Sequence, residues 1–534
     1  MRAGKSNILF AICLTSPVII FFLCYWFNHP SNLLPTGFIQ YDNPSYVAYG
    51  RQYIDADRFH LLYNNPFNDS DNYQRIYFQT QSILIAILLK IGISPDYILS
   101  IFTVICSFLC FVFVIKIYDL VFPANKFRLI LILLFCWGGG VLFFAHFPLQ
   151  WIYPSIAPLV DYKPIILDPG GGWWGLNLGR ALFFSCEAYY HLLFLATVFY
   201  VLRKKWWAAS LFLFFLSASH PFTGIELLAI VNVWIILEKF VLKNKLIPNY
   251  FIAITLLLLG LHIFYYLYYL NLFPDHHSVS TQYSLNWRIR FYNILPAYCV
   301  VALFAFLTIR KSKWQIFFKQ DYNRLFFWWF IVAFTLANHE LFMRPMQPIH
   351  FTRGYIWTPL FLLGVPAIQS LLSLLSKKRW AFAGISLFVF IFLSDNIVWI
   401  YGNSQRAVRK SVRFIGTEEK QILAKLADQS NNNSLIIGYA DEQEAILPYL
   451  ATTSTKTWSW ISHPFTTPFF EMKKRAYTEF IAGGKIDSAW INKHCIFLFR
   501  KSDTLEMRRS NNLNFKTTIL IETESYKVTR GVPH

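Results

Sequence analysis

The chain has 534 residues, of which 55% are hydrophobic, 19% aromatic and only 14% charged. A soluble globule of this length needs more polar side chains to cover its surface, so the composition excludes that class and indicates a polytopic membrane protein. The formal net charge of +19 lies largely in short basic connections between apolar runs, a placement that argues against nucleic-acid binding and is typical of cytoplasmic loops.

The first apolar run covers residues 8–27 and follows Arg2 and Lys5. It ends in bulky residues, Cys24 to Phe27, without a small-residue cleavage site, so we expect a retained anchor and not a signal peptide. A polar loop, residues 28–96, comes next and contains Tyr41-Asp42-Asn43-Pro44-Ser45-Tyr46. This loop is the first place where water, a carboxylate and lipid meet.

The short apolar run 76–92 decides the topology. If it crossed the membrane, every later basic cluster would lie outside, so we predict an interfacial helix on the outer side. The sequence then predicts about eleven spans with the amino terminus in the cytoplasm. They lie near residues 8–27, 97–118, 127–147, 179–202, 206–219, 222–241, 249–270, 291–309, 323–341, 355–375 and 380–400.

The composition becomes polar in the tail, residues 401–534. Its patterns predict helices at 418–429 and 468–482 and strands at 434–440, 495–499 and 517–522. We therefore expect two domains: a membrane part, residues 1–400, and a small α/β domain, residues 401–534, on the same external side as loop 28–96. The tail has no glycine-rich phosphate loop and no nucleophile elbow, and the cysteines show neither a disulfide framework nor zinc spacing.

Four features resemble the GT-C superfamily of membrane glycosyltransferases, which transfer sugars from polyprenyl-phosphate carriers. They are the early acidic loop Gly37 to Tyr46 after the first helix, Asn65-Pro66-Phe67, an interfacial helix before the second span, and Phe351 to Tyr355 before a helix containing Pro359. The resemblance covers the architecture of the whole chain but few residues. It implies a GT-C-like helical fold in which the outer face carries the function.

Asp42 is the candidate general base, because an inverting transfer needs a group that takes the proton of the acceptor hydroxyl. The alternative is a turn residue before Pro44. The family often has paired acids here, whereas Asn43 follows Asp42, which puts a metal bound by adjacent carboxylates in doubt. The spacings Asp55-Ala56-Asp57 and Asp69-Ser70-Asp71 are typical of metal sites but also frequent by chance.

The departing polyprenyl phosphate needs fixed cations. Candidates for binding the donor phosphate are Arg353, favoured by the family-like segment, with His350, and also Arg344, Arg288 and Arg290. The alternative is that these arginines reach to lipid headgroups.

Ionisable or polar residues near the outer ends of spans are candidates for lining a substrate cavity. They are Tyr46, Asp168, Arg180, Glu187, His220, Glu226 and Glu340. The spacing of Arg180, Glu187 and His191 predicts one face of one helix. A structural ion pair or hydrogen-bonded network is the alternative for Glu187 and His191, and a helix cap is the alternative for His220.

We interpret the chain as a glycosyltransferase at the external face of a prokaryotic inner membrane. Its partners would be membrane lipid, a polyprenyl-phosphate-linked sugar donor and a glycan, lipid or protein acceptor, without nucleic acid. No cofactor is required by the sequence, and a divalent cation stays open. A transporter or flippase of lipid-linked substrates, or an enzyme of the O-antigen-ligase type, is the alternative function. The sequence names neither the sugar nor the acceptor.

Overall fold

The protein is described by a computed structural model. The structure describes residues 2–40, 42–55, 58–67, 74–123, 125–141, 143–144, 176–289, 291–312, 314–404, 413–429, 435–438, 458–459, 466–484, 495–511, 513 and 516–532.

Most of the described residues are helical, as the apolar runs predicted. In chain order the α-helices are α1 (Arg2–Phe27), α2 (Asn43–Gln52), α3 (Thr80–Lys90), α4 (Pro95–Val121), α5 (Arg128–Trp137), α6 (Leu178–Ala181), α7 (Ser185–Leu202), α8 (Trp206–Ser217), α9 (Pro221–Ile236), α10 (Asn249–Ile263), α11 (Pro274–Ser280), α12 (Phe291–Ser312), α13 (Trp314–Phe317), α14 (Asp321–Ala337), α15 (Trp357–Leu375), α16 (Ala381–Ser404), α17 (Thr417–Gln429), α18 (Phe470–Ile481) and α19 (Thr504–Asn511). Shorter π-helical and 3₁₀ segments lie at Leu237–Val241, Phe264–Tyr269, Leu270–Leu272, Thr281–Tyr283, His339–Leu341 and Pro348–Phe351.

Six helices in the described part of the chain are long and apolar enough to cross a membrane. They are Lys5–Phe27, Pro95–Val121, Ser185–Leu202, Asn249–Leu272, Trp357–Leu375 and Ala381–Ser404. The prediction of a helical, multi-pass membrane protein is therefore confirmed. A helix begins within or beside every predicted span, but some are short, such as α5 and α8, so the number of eleven crossings stays a prediction.

The helix α3 covers most of the run that decided the topology. It has 11 residues, which at about 1.5 Å per residue span only about half of a hydrocarbon core of about 30 Å. Ile85 and Ala86 on one side are fully buried, whereas Leu84 and Ile87 on the other are 39% and 45% exposed. Its length and its exposed apolar side are those expected of an interfacial helix.

The strands are β1 (Leu33–Pro35), β2 (Ile54–Asp55), β3 (Arg58–Phe59), β4 (Phe414–Gly416), β5 (Leu435–Ile437), β6 (Trp458–Ser459), β7 (Cys495–Arg500), β8 (Lys516–Glu522) and β9 (Tyr526–Val532). The tail contains a five-stranded sheet in the order β6-β5-β7-β9-β8. In it β5 is parallel to β6 and β7, and β9 is antiparallel to β7 and β8. Every predicted tail element is present, and β4, β6, β9 and α19 are additional among the described tail residues.

The chain forms two compact units. Unit 1 comprises Met1–Cys24, Thr103–Tyr265 and Ser284–Arg406, and unit 2 comprises Tyr25–Phe102, Tyr266–Tyr283 and Ala407–His534. By its contacts, the loop after α1 thus groups with the tail, whereas the sequence placed it in the domain of residues 1–400. The functional division into residues 1–400 and 401–534 stays a prediction.

Unit 2 has a hydrophobic core to which both the loop and the tail contribute. Its buried side chains come from the loop and its helices, from α17 and from the sheet: Phe38, Val47, Ile85, Leu89, Ile98, Leu99, Ile415, Ile422, Leu423, Leu426, Ile436, Ile496, Leu498, Tyr526 and Val528. Strand β1 pairs antiparallel with β4, with Leu34 opposite Ile415. Gly37 has a φ of +85°, and a Cβ atom there would lie 1.8 Å from the carbonyl oxygen of Asp96, so glycine is required.

Replacing Leu426 by Ala should test this shared core. Leu426 is fully buried, and truncating such a leucine costs about 2–5 kcal/mol. We expect a lower midpoint of thermal unfolding in detergent and faster proteolysis of the loop as well as of the tail. Ile519→Ala, at a position on β8 that is 53% exposed, is the matched control and should leave both unchanged. Faster cleavage confined to the tail would show that the loop does not depend on this core.

Candidate functional site

Asp42 is the residue before α2, and its side chain makes no capping hydrogen bond to the helix. The turn is held by Asn43 instead. The Asn43 Oδ1 atom accepts hydrogen bonds from the backbone N–H groups of Ile39 at 3.0 Å and Gln40 at 3.1 Å, and Asn43 is 1% exposed. Pro44 lies in the first turn of α2, where the backbone N–H that proline lacks would have no partner within the helix. A capping role therefore does not account for Asp42, although its catalytic role stays a prediction.

The Asp42 carboxylate is half-buried and is oriented by the first turn of α2. The Asn43 side-chain amide donates to Oδ1 at 3.3 Å, and the Tyr46 hydroxyl donates to Oδ2 at 3.3 Å. Asn43 thus binds backbone on one side and the carboxylate on the other. An acidic residue at position 43 would replace this donor with a second negative charge beside the Asp42 carboxylate.

A row of aromatic rings extends from Asp42 within unit 2. We call it the tyrosine row: Tyr46, Tyr49, Tyr63, Tyr77 and His276. Successive ring centroids are 6.3, 5.1, 5.2 and 5.6 Å apart. The Tyr77 hydroxyl lies 3.2 Å from Nδ1 of His276. The row therefore starts at the hydroxyl that contacts the Asp42 carboxylate.

The ionisable side chains in and beside the tyrosine row are uncharged at neutral pH. Burial, together with the nearby hydroxyls of Tyr283 and Tyr77 and the Asp42 carboxylate, raises the pKa of Tyr49 well above its ordinary value. Burial raises the pKa of Tyr283 to about 12. Burial, with the neighbouring His277, lowers the pKa of His276 to about 4. The phenols keep their protons and the imidazole stays neutral, so they act as hydrogen-bonding groups and not as ions.

Unit 1 contains a separate group of buried charges. A guanidinium nitrogen of Arg353 donates to the carboxylate of Glu187, and the two residues are only 4% and 7% exposed. His191 lies between two carbonyl oxygens, that of Glu187 at 2.8 Å from Nδ1 and that of Arg353 at 2.6 Å from Nε2. Arg353, the favoured phosphate ligand, is thus compensated by a carboxylate and fixed to the start of α7. This is the structural ion pair that the sequence left open for Glu187.

Glu226 lies on α9 close to this ion pair. It is fully buried and interacts electrostatically with Arg353 and Glu187. Among the described residues neither of its carboxylate oxygens has a hydrogen-bond partner. His220 caps α9 by accepting from the Thr223 N–H at 3.1 Å, and its ring stacks on Tyr190 with centroids 4.5 Å apart. The capping alternative for His220 matches this geometry.

The prediction that Arg180 shares a helix with Glu187 and His191 is wrong. Arg180 lies in the short helix α6, and residues 182–184, with Phe184 in an extended conformation, separate α6 from α7. Arg180 is fully buried and donates from Nε to Oδ1 of Asn396 at 2.6 Å. Its guanidinium carbon is 5.9 Å from the Trp399 ring centroid. Arg180 therefore connects α6 with α16.

The other phosphate candidates lie in the segments around 284–289 and 339–350. Arg288 is exposed and pairs with Oε1 of Glu340 at 2.7 Å. Arg344 is also exposed and donates to the hydroxyl of Ser284 at 2.5 Å. The His350 ring stacks on Phe222 with centroids 4.4 Å apart. Arg290 and Asp168 lie outside the described residues, as do the two predicted metal spacings apart from the backbone of Asp55.

Within the described ranges, no group of three or more His, Cys, Asp or Glu side chains is arranged to hold a metal ion. The divalent cation therefore stays a prediction. The sequence reasoning did not identify Tyr49, Tyr77 and His276. The spacing of Tyr46, Tyr49 and Tyr53, three and four residues apart, places them on one side of a helix and was a usable signal. The contact of Tyr77 with His276 joins residues 199 positions apart and left no local signal in the sequence.

Replacing Arg353 by Met should test the buried ion pair. The variant leaves the Glu187 carboxylate without its cation, a loss that typically costs about 3–5 kcal/mol. We expect a clearly lower midpoint of thermal unfolding in detergent. The double variant Glu187→Gln with Arg353→Met removes both charges and should recover much of this loss.

The control for this pair is Asp321→Asn, which removes one partner of the exposed pair Lys204 and Asp321, 3.8 Å apart. Exposed pairs contribute less than about 1 kcal/mol. If Arg353→Met changed the midpoint as little as Asp321→Asn, the buried pair would not stabilise unit 1.

No protein-family model matches this sequence, and no curated protein sequence matches it. Comparison with solved structures finds matches that include ArnT from Cupriavidus metallidurans bound to undecaprenyl phosphate, at 10% identity and a TM-score of 0.49 over 99% of this chain and 98% of that one. They also include the archaeal oligosaccharyltransferase AglB from Archaeoglobus fulgidus in complex with an inhibitory peptide and a dolichol-phosphate, at 11% identity and a TM-score of 0.44 over 93% of this chain and 69% of that one. At these identities and TM-scores the likeness assigns no residue role, ligand or reaction to this chain.

Proposed function

We propose that this protein is a GT-C-type glycosyltransferase that moves a sugar from a polyprenyl-phosphate donor to an acceptor hydroxyl. The resemblance of the sequence supports the reaction class. The observation that carries the proposal is the geometry at Asp42: a carboxylate without a capping role, oriented by Asn43 and Tyr46 at the start of α2. A carboxylate held in this way is suited to proton transfer.

In the proposed reaction the acceptor oxygen attacks the anomeric carbon of the donor sugar from the face opposite the phosphate. Asp42 takes the proton of the attacking hydroxyl, and the polyprenyl phosphate leaves with the electron pair of the broken C–O bond. The configuration at the anomeric carbon inverts. Tyr46 and Asn43 act as positioning residues, because each donates a hydrogen bond to one oxygen of the Asp42 carboxylate.

Binding of the departing phosphate is the second requirement, and the structure changes the ranking of its candidates. Arg353 is buried and paired with Glu187, so a phosphate would have to compete with this carboxylate. Among the described residues Arg344 is exposed and has no carboxylate within ion-pair distance, and Arg288 is exposed beside Glu340. We propose that Arg344 and Arg288 bind the phosphate, and that Arg353 holds the segment 351–355 against α7.

We further propose that the reaction takes place at the external face of the inner membrane, with the amino terminus in the cytoplasm and the tail outside. The basic connections support this orientation because cytoplasmic loops are enriched in lysine and arginine. They include Arg203-Lys204-Lys205, which follow α7, and Lys377-Lys378-Arg379, which follow α15. Nucleotide sugars are confined to the cytoplasm, so a lipid-linked donor fits this face.

A transporter of lipid-linked material is the second candidate function. The buried residues Glu187, Glu226 and Arg353 favour it, because ionisable groups inside helical membrane bundles often mark transport pathways. In a transporter Asp42 would have no proton to take, so the two functions differ in their response to a change at this residue.

Replacing Asp42 by Asn should lower sugar transfer by about 10²–10⁴-fold, because the amide keeps the shape of the side chain but accepts no proton. Transfer is measured with a radiolabelled polyprenyl-phosphate sugar in membranes, and folding is checked by monodispersity in detergent. Asp503→Asn is the matched control in unit 2. Asp503 caps α19 by accepting from the Leu505 and Glu506 N–H groups, a role that Asn can also perform. Unchanged transfer in a well-folded Asp42→Asn would remove Asp42 from the mechanism.

A further inference from the structure

The tyrosines near Asp42 form two layers with different surroundings. Tyr53 and Tyr63 are 0% and 2% exposed and pack with Ala86 in a small core. Tyr46, Tyr49 and Tyr77 lie outside this layer and are half-buried. Tyr53 and Tyr63, the latter the buried middle ring of the row, therefore support the outer tyrosines, each of which keeps part of its surface exposed.

The polar ends of the outer tyrosines lie near one another. The Tyr46 hydroxyl contacts Asp42, and Tyr49 interacts electrostatically with Tyr77, Tyr283 and Asp42. The Tyr77 hydroxyl contacts His276, which sits on α11. The row therefore combines aromatic ring surface with several neutral hydrogen-bonding groups and the Asp42 carboxylate.

We propose that the outer face of the tyrosine row binds the sugar rings of a carbohydrate acceptor, so that the acceptor class is a glycan. This inference rests on the proposed function. A pyranose ring has an apolar C–H face that packs on an aromatic ring and a rim of hydroxyls that exchange hydrogen bonds with neutral donors and acceptors. The carboxylate of Asp42 at the end of the row then faces one of these hydroxyls.

Two other ligands fit the tyrosine row less well. A polyprenyl tail would cover the Asp42 carboxylate at the end of the row with hydrocarbon and offer it no hydrogen bond, which is unfavourable for a charged group. A peptide acceptor would offer hydrogen bonds but needs backbone partners or side-chain pockets more than a row of ring faces. The carbohydrate uses both the rings and the hydroxyls.

The experiment uses the full chain in nanodiscs with a radiolabelled polyprenyl-phosphate sugar. It measures release of polyprenyl phosphate and, separately, incorporation of label into two sets of probes. One set contains neutral oligosaccharides of glucose, galactose, mannose and N-acetylglucosamine. The other contains peptides with Ser, Thr and Asn. The inference predicts that an oligosaccharide is labelled.

Tyr77→Leu should raise the KM for the labelled oligosaccharide by about tenfold, and more than it raises the KM for the donor. Tyr49→Phe, which removes only a hydroxyl, should raise it by a smaller factor. Tyr97→Leu is the matched control, because Tyr97 belongs to the same unit, is 51% exposed and stacks on Trp26 away from the row. It should leave the KM for the oligosaccharide unchanged.

Release of polyprenyl phosphate with label on peptide, or with no labelled oligosaccharide, would overturn the inference and leave the proposed function standing. An equal rise of both KM values in Tyr77→Leu would also overturn it, because that result would place the donor on the row. Absence of polyprenyl-phosphate release from every donor would overturn the proposed function and the inference with it.

Discussion

The burial of the loop after α1 against the tail is the constraint on which the candidate site depends. Phe38 and Val47 of the loop are buried in a core that α17 and the sheet help to complete. Strand β1 adds backbone hydrogen bonds to β4, and Asn65 donates to the Thr466 carbonyl at 2.7 Å. A loop held at three separated places can keep a half-buried carboxylate in one orientation. The tail thus supports the site without contributing an evident nucleophile or phosphate loop.

Charge placement in unit 1 follows from the cost of leaving charge unpaired in an apolar bundle. Arg353 pairs with Glu187, and His191 lies between the backbone carbonyl oxygens of both residues. This arrangement fixes the segment before α15 to α7 at the ends of two helices. It also changes the role expected of Arg353, because a guanidinium paired with a buried carboxylate is suited to stabilising the fold. Exposed arginines such as Arg344 are better placed to meet an anionic ligand.

Much of the fold could be predicted because long apolar runs can only be helices in lipid. The short apolar runs of β7 and β8 and the amphipathic pattern of α17 also sufficed to predict these three tail elements. Strand β9 was missed because Lys527, Arg530 and Gly531 interrupt its apolar pattern. The break between α6 and α7 was missed because residues 182–184 are all apolar and contain neither proline nor glycine.

Asp42 could be selected from its loop, but the turn-holding role of Asn43 required coordinates. The pairings of Leu34 with Ile415 and of Arg353 with Glu187 link distant parts of the chain and left no local signal.

The most direct measurement of the central claim is the fate of the donor with the purified full-length protein in nanodiscs. A panel of polyprenyl-phosphate sugars of defined anomeric configuration is incubated with the protein and cell-envelope acceptors, and polyprenyl phosphate and the configuration of the product are determined. We predict release of polyprenyl phosphate from one donor and a product of inverted configuration at the anomeric carbon. Retained configuration, or movement of intact donor across the bilayer without cleavage, would contradict it.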